Sequence, residues 1–311
     1  MFNSSHTFVG IVLARTGLDR WVRGAAVTAA IAANLPDVDI VTGFKGTATY
    51  LQYHRGITHS IVGIPFLALG LTAVIYFFSG NFWKTYLVAL LAMATHPLLD
   101  LANTYGLRPF VPWHSRWYYG DVLPIIDPYL DAILLIGILA GEIFKDNKRL
   151  MTCLSLGVLL LYVGGRVELR NLAAAELETL AARTPGTEKW GVAPEFLNPL
   201  VWNGIIQTPK QMLKVSIEPL DKIMTEVNRM DRGGPAQVAQ QALESESASA
   251  LLAFARFPVM RMQRRDSGFR VLIFDYRFYN ETTNTALGSE ITLDRSYRIT
   301  SESLSFQKAL D

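Results

Sequence analysis

Residues 61–78 read IVGIPFLALGLTAVIYFF, eighteen consecutive positions without a charged side chain. A run of this length is enough to cross the hydrocarbon core of a membrane as a helix. Ser79-Gly80-Asn81 then supplies a turn, and a second apolar stretch extends from Phe82 to Leu101. The two runs predict a transmembrane helical hairpin.

Apolar sequence continues on both sides of this hairpin. Ile125–Phe144 and Leu150–Val167 flank a short charged turn and predict a second hairpin, which brings the expected number of spans to about four. Residues 7–16 and 21–33 are apolar and rich in small side chains, but each stretch is too short to cross alone. They predict a short helical hairpin, re-entrant or packed among the other helices.

Charge divides the chain into two parts. Residues 1–165 contain 11 Lys and Arg and 9 Asp and Glu, whereas residues 166–311 contain 18 of each group. This change predicts a membrane helical domain over 1–167 and an extramembrane domain over 168–311. A net charge of +2, without a basic stripe, argues against a nucleic-acid partner. The single cysteine, Cys153, excludes a thiolate zinc site within one chain, so any metal must bind to histidines and carboxylates.

The second part begins with a predicted helix over Glu168–Ala182 and then changes to short alternating segments. The predicted strands are Val201–Ile206, Met212–Ile217, Ser249–Phe257, Arg270–Tyr279 and Glu290–Ile299. Residues 231–235 predict a break, and Ala236–Glu246 predicts a short helix or a flexible segment. The expected fold class is therefore α+β, with an N-terminal transmembrane helical bundle followed by a small β-rich extramembrane domain.

All five histidines lie at or before position 114, carboxylates accompany them, and the predicted hairpins bring both groups to one membrane face. His96 and Asp100 stand four residues apart, which places both side chains on one face of a helix. Intramembrane ionisable residues mark functional sites by default. The candidate metal ligands are His6, Asp37, Asp39, His54, His59, His96 and Asp100. This donor set predicts one or two divalent ions, with zinc favoured and manganese or iron as alternatives. Asp37 and Asp39 could instead cap a helix, and either of His54 and His59 could be structural.

Four short motifs in the first 140 residues resemble the YdjM-like family of inner-membrane metal-dependent hydrolases. They are Asn34-Leu35-Pro36-Asp37-Val38-Asp39, His54-Arg55-Gly56-Ile57-Thr58-His59-Ser60, His96-Pro97-Leu98-Leu99-Asp100 and Asn103-Thr104-Tyr105-Gly106. The resemblance implies a bacterial inner-membrane location and hydrolase chemistry. The order of the histidines and aspartates is also distantly similar to that of zinc-dependent phospholipase C and the P1-type nucleases.

We therefore expect hydrolysis of a phosphoester or lipid-headgroup bond at the membrane surface. Arg55 could bind an anionic substrate oxygen or be an interfacial arginine, and Thr58 and Asn103 could orient substrate or ligands. Two alternatives are a metal-binding or transport protein and a noncatalytic assembly or regulatory protein with a structural metal.

The expected partners are the lipid bilayer and a phospholipid or other phosphoester substrate. Short turns rich in Lys and Arg lie opposite the predicted site and are expected to be cytoplasmic. They predict a multi-pass protein whose site and C-terminal domain lie on the periplasmic side.

Overall fold

The computed structural model describes residues 1–233 and 237–309, which form two compact units. The first unit comprises Met1–Asp39, Arg55–Asn171 and Pro194–Leu200, and the second comprises Ile40–His54, Leu172–Ala193 and Val201–Asp311. The predicted boundary after residue 167 stays a prediction.

Nine helices occur in the described ranges, and most of them belong to the first unit. They are α1 (Asn3–Arg15), α2 (Ala25–Asn34), α3 (Thr47–Tyr53), α4 (Gly63–Ser79), α5 (Phe82–Ala102), α6 (Pro128–Ile143), α7 (Lys148–Arg183), α8 (Gln237–Leu243) and α9 (Glu246–Phe254). The predicted short hairpin corresponds to α1 and α2, and the four predicted spans correspond to α4, α5, α6 and the first half of α7. The predicted helix over Glu168–Ala182 is the second half of α7.

Small side chains allow the helices of the first unit to pack closely. A Cβ atom at Gly10 of α1 would lie 2.6 Å from the Ala29 carbonyl of α2, so the two backbones touch. Likewise, a Cβ atom at Gly137 of α6 would lie 2.3 Å from the side chain of Ser155 on α7. The first of these contacts holds α1, which carries His6, against α2.

Three helical segments are long and apolar enough to cross a membrane: Ala25–Lys45, Phe82–Ala102 and Lys145–Arg183. A fourth is reached if the bent pair Thr47–His59 and Gly63–Ser79 forms one span. These segments support an N-terminal part that is embedded in the membrane. The predicted span that corresponds to α6 is not among them.

The second unit is rich in β-structure. One antiparallel sheet has the order β1 (Lys189–Pro194), β2 (Trp202–Gln207), β3 (Gln211–Glu218) and β4 (Ile223–Asp231). The other has the order β5 (Pro258–Arg265), β6 (Gly268–Asp275), β7 (Thr285–Asp294) and β8 (Ile299–Lys308). Side chains of both sheets, including Ile205, Met212, Leu272 and Phe274, share one core.

The predicted strand over Ser249–Phe257 is wrong, because most of this segment belongs to helix α9. The Ser245 side chain caps this helix by accepting a hydrogen bond from the Ala248 amide at 3.1 Å. Its alanines and leucines favour a helix, and its buried residues recur at helical spacing. The segment predicted over Ala236–Glu246 contains α8, although Ala236 lies outside the described residues, as does part of the predicted break over 231–235.

A buried ion pair stabilises the turn after β6. Asp275 is fully buried and accepts hydrogen bonds from Arg277 Nη2 at 2.7 Å and from the Arg256 amide at 2.9 Å. Burial raises the pKa of this carboxyl, but the Arg277 guanidinium and the hydrogen bonds outweigh it and hold the pKa below its ordinary value.

Candidate metal centre

Three elements of the first unit carry the buried cluster. Asp37 lies in the 3₁₀ run Leu35–Lys45 that follows α2, and His59 ends a short 3₁₀ turn before α4. His96 and Asp100 lie on α5, which continues through Pro97. The helix therefore keeps the four-residue spacing that places both side chains on one face, as the sequence predicted.

The four side chains converge at one point. His59 Nε2 and His96 Nε2 lie 3.1 Å apart. Asp37 Oδ1 lies 3.3 Å from His59 Nε2 and 3.4 Å from His96 Nε2. Asp100 Oδ2 lies 3.6 Å from His59 Nε2 and 3.4 Å from His96 Nε2. One ligand atom from each residue falls within 4.8 Å of all the others. The structure thus brings together Asp37, His59, His96 and Asp100.

Hydrogen bonds determine which nitrogen of each imidazole carries the proton. His96 Nδ1 lies 2.6 Å from the Ala33 carbonyl, which can only accept, so this nitrogen carries the proton. Thr58 Oγ1 donates its only proton to Asp39 Oδ2 at 2.9 Å and therefore accepts from His59 Nδ1 at 2.9 Å. In the neutral form of each ring, its Nε2 atom therefore offers a lone pair to the centre of the cluster.

This geometry fits a divalent cation. Two acceptor nitrogens 3.1 Å apart repel each other unless a cation lies between them, and the two carboxylates supply compensating negative charge. Imidazole and carboxylate are ligands of zinc and of several other transition metals. The four residues could therefore hold one metal ion.

His6 lies beside this cluster. Its ring stacks on that of His96 with centroids 3.7 Å apart, and its Nε2 lies 3.6 Å from Asp100 Oδ1. It is fully buried, and neither of its ring nitrogens makes a hydrogen bond to any described residue. Asp100 Oδ2 is likewise buried without such a bond within the described ranges. Buried polar atoms of this kind are rare unless a ligand or ion engages them.

Asp39 supports the cluster from the side. Its Oδ2 accepts hydrogen bonds from the Arg55 amide at 3.0 Å and from Thr58 Oγ1, and it lies 3.4 Å from His59 Nδ1. Carboxylates that orient a histidine in this way commonly surround metal sites. A direct ligand role for Asp39 stays a prediction.

Arg55 connects the cluster to the loop after α5. Its backbone has a φ of 55°, a left-handed conformation that is uncommon outside glycine. Its Nη2 lies 2.9 Å from Asp100 Oδ1, and its Nη1 donates to Asn103 Oδ1 at 3.2 Å and to the Gly106 carbonyl at 3.1 Å. The Met1 ammonium group also contacts Asp100.

These contacts bear on the predicted roles of the remaining candidates. Arg55 and Asn103 orient Asp100, and Thr58 orients His59, whereas their predicted catalytic roles stay predictions. His54 ends α3 in the second unit, where it is buried and stacks on Tyr50 at 4.6 Å, and its ligand role also stays a prediction.

The Ala33 carbonyl, which orients His96, was not among the predicted site residues. Its position in the last turn of α2 is a signal, since the last carbonyls of a helix lack partners within that helix.

Comparison with known proteins covers the part of the chain that carries this cluster. The family model described as YdjM inner membrane protein matches residues 1–172. The uncharacterized protein YfhP of Bacillus subtilis (strain 168) is 30% identical over 140 residues, and the match covers 42% of this chain and 43% of that protein. The chain thus spans less than half the length of this relative. No solved structure matches the chain significantly.

Proposed function

Because the chain belongs to the YdjM inner membrane protein family, we propose that it is a membrane-bound metal-dependent hydrolase acting on a phosphoester or lipid-headgroup bond. The observation that carries this proposal is the pair of facing Nε2 atoms of His59 and His96 between the carboxylates of Asp37 and Asp100. We propose zinc as the metal, because imidazole and carboxylate together suit it.

The chain's own residues have separate tasks in this proposal. Asp37, His59, His96 and Asp100 hold the metal, Thr58 and the Ala33 carbonyl orient the two imidazoles, and Arg55 orients Asp100. A divalent metal bound there would supply Lewis-acid chemistry that makes water a nucleophile near neutral pH. Asp37, the most exposed of the four at 22% of its side chain, marks the side from which substrate would approach.

The proposal also places the site on the periplasmic side of the inner membrane. Arg15 ends α1, and Lys148 and Arg149 begin α7. Short loops rich in such residues stay cytoplasmic. The β-rich unit, reached through α7, would then lie outside the membrane on the side of the site.

Elemental analysis of the purified protein tests the metal. We expect a divalent metal in wild type and in His114→Ala, a matched control because His114 is exposed, and much less in His96→Ala and Asp100→Ala. Equal metal content in all four proteins would refute the site.

Turnover assays then test the chemistry. Phosphatase, phospholipase and nuclease substrates should be compared with and without chelator, and we expect at least one activity that chelator abolishes and zinc restores. A full complement of metal without activity on these classes would favour a transport or structural role for the metal instead.

A further inference from the structure

Two loops of the helical unit expose large apolar side chains. One is formed by residues 103–121, between α5 and α6, and the other by residues 195–200, which belong to the helical unit although they lie between β1 and β2. Together with the residue before α4, they present six apolar side chains that are 36–68% exposed. We call these side chains the apolar collar: Ile61, Phe110, Trp113, Phe196, Leu197 and Leu200. A single exposed hydrophobic residue is ordinary, but a group of them marks an interaction surface.

Hydrogen bonds through a buried arginine bring the two loops to one level. The Val122 amide, directly after the first loop, donates to the Ala102 carbonyl at the end of α5, at 2.8 Å. Arg166 of α7 donates through its Nε to the Val122 carbonyl at 3.2 Å and through its Nη1 to the Pro199 carbonyl. The end of α5 and the second loop therefore lie within the reach of one arginine side chain.

Two further hydrogen bonds attach the collar to the starts of α4 and α6. The Ile61 amide, just before α4, donates to the Pro109 carbonyl of the first loop at 3.0 Å. The Tyr129 hydroxyl, in the first turn of α6, donates to the Leu197 carbonyl of the second loop at 2.9 Å. The collar therefore lies where α4 begins, α5 ends and α6 begins.

Continuity with the outer faces of the helices indicates which partner covers the collar. Phe66 on α4 is 68% exposed and Leu98 on α5 is 66% exposed, so the apolar surface continues from the collar along both helices. The chain belongs to a family of inner membrane proteins, and α5 is long and apolar enough to cross a membrane. Aromatic side chains at the ends of such helices are enriched at the level of the lipid headgroups. Phospholipid is therefore the partner that this surface fits.

We propose that the apolar collar is seated in the phospholipid headgroup layer on the side of the ligand cluster, so that both loops are held in the interface. Asp100 stands two residues before the end of α5, which is about 3 Å along the helix axis. The collar thereby fixes the depth of the cluster close to the headgroups. This inference goes beyond the proposed function and does not depend on it.

Fluorescence quenching on the full chain in phosphatidylcholine vesicles provides the test. Cys153 is the only cysteine of the chain, so Cys153→Ser gives a background in which one new cysteine carries a fluorescent label. Trp113→Cys and Leu197→Cys place the label on the two loops. The controls are Leu91→Cys, exposed in the middle of α5, and Ser303→Cys, exposed on β8. The quenchers are a nitroxide near the lipid headgroup, a nitroxide near the end of the acyl chain, and iodide in the water.

We expect the labels on both loops to lose more fluorescence to the nitroxide near the headgroup than to the nitroxide near the chain end. They should lose less to iodide than the label of Ser303→Cys does. The label of Leu91→Cys should lose most to the nitroxide near the chain end. Thermal melts against Cys153→Ser verify that each variant is folded, and Phe110→Cys and Leu200→Cys provide a second labelling position in each loop.

Three results would overturn the inference. Iodide quenching of both loops as strong as that of Ser303→Cys would place them in water. Protection from iodide without quenching by either nitroxide would mean that protein, such as a second copy of the chain, covers the collar. Lipid quenching of one loop alone would show that the two loops do not share one surface. None of these measurements involves metal or turnover, so the collar and the proposed function stand or fail separately.

Discussion

Removing the metal should lower the thermal stability of the helical unit. Without a metal, both ring nitrogens of His6 and Asp100 Oδ2 are buried and make no hydrogen bond to the described residues. The proposed metal is held by Asp37, His59, His96 and Asp100, so of these three atoms it would engage Asp100 Oδ2. A buried unsatisfied polar atom costs about 1–3 kcal/mol, which gives a loss of at least about 1 kcal/mol on metal removal.

The corresponding shift in melting temperature is measurable. A change of 1 kcal/mol moves the melting temperature of a unit of this size by roughly 2–4 °C, so we expect a decrease of at least about 2 °C. The assay is intrinsic tryptophan fluorescence during heating in detergent, before and after chelator treatment and after zinc is added back. His96→Ala should melt at one temperature in all three conditions, because it lacks the ligand that faces His59.

The control for this experiment is His114→Ala, which should respond to chelator as wild type does. The reasoning would be refuted if wild type lost no stability in chelator. It would also be refuted if His96→Ala lost as much as wild type, since the chelator would then act at some other place.

Three further predictions concern other parts of the molecule. A reporter that works only in the periplasm should be active when it is fused after the final residue, which lies outside the described ranges. A reporter that works only in the cytoplasm should be inactive at the same position. The opposite pattern would contradict the proposed periplasmic location of the site and of the C-terminal domain. Asp275→Asn should destabilise the β-rich unit by about 3–5 kcal/mol, since it removes the charge of the buried carboxylate that pairs with the Arg277 guanidinium. Because the pKa of Asp275 is lowered on folding, its contribution is present above its unfolded pKa of about 4 and is lost as pH falls below that value. Proteolysis across a pH series should therefore show a weaker acid dependence in Asp275→Asn than in wild type or the exposed control Asp266→Asn. Gly137→Leu should destabilise the helical unit by about 1–3 kcal/mol in thermal melts, whereas Gly70→Leu, where a Cβ meets no atom within 4 Å, should melt as wild type does.

The convergence of the candidate ligands could be predicted from the sequence because it follows from periodicity and chain direction. His96 and Asp100 share a helix face, and an apolar hairpin returns the chain to the side from which it started. Both arguments need only element lengths, and the structure agrees with them for His59, His96 and Asp100.

The division of tasks among neighbouring residues could not be predicted in this way. Asp37 and Asp39 stand two residues apart, and only the 3₁₀ backbone decides that the first faces the cluster while the second accepts from Thr58. The direction of the Arg55 side chain depends on a left-handed backbone conformation that the sequence does not announce.

The β-rich unit was less predictable for a similar reason. Four strands were missed: β1, β4, β5 and β8. Two of them, β4 and β8, carry mostly exposed residues, so they lack the apolar alternation that identifies a strand. The apolar segment that forms α9 was mistaken for a strand, because a short buried run does not distinguish the two structures by itself.

The order in which the cluster residues are synthesised has a consequence for biogenesis. His6 and Asp100, which approach within 3.6 Å, stand at opposite ends of the first hundred residues. Such non-local contacts form only after the intervening chain has closed on itself, which makes them slow compared with helix formation. The proposed metal cannot be captured by the full set of side chains while the ribosome has released only α1 and α2. Loading of the proposed metal should therefore report that insertion and packing of the chain through α5 are complete.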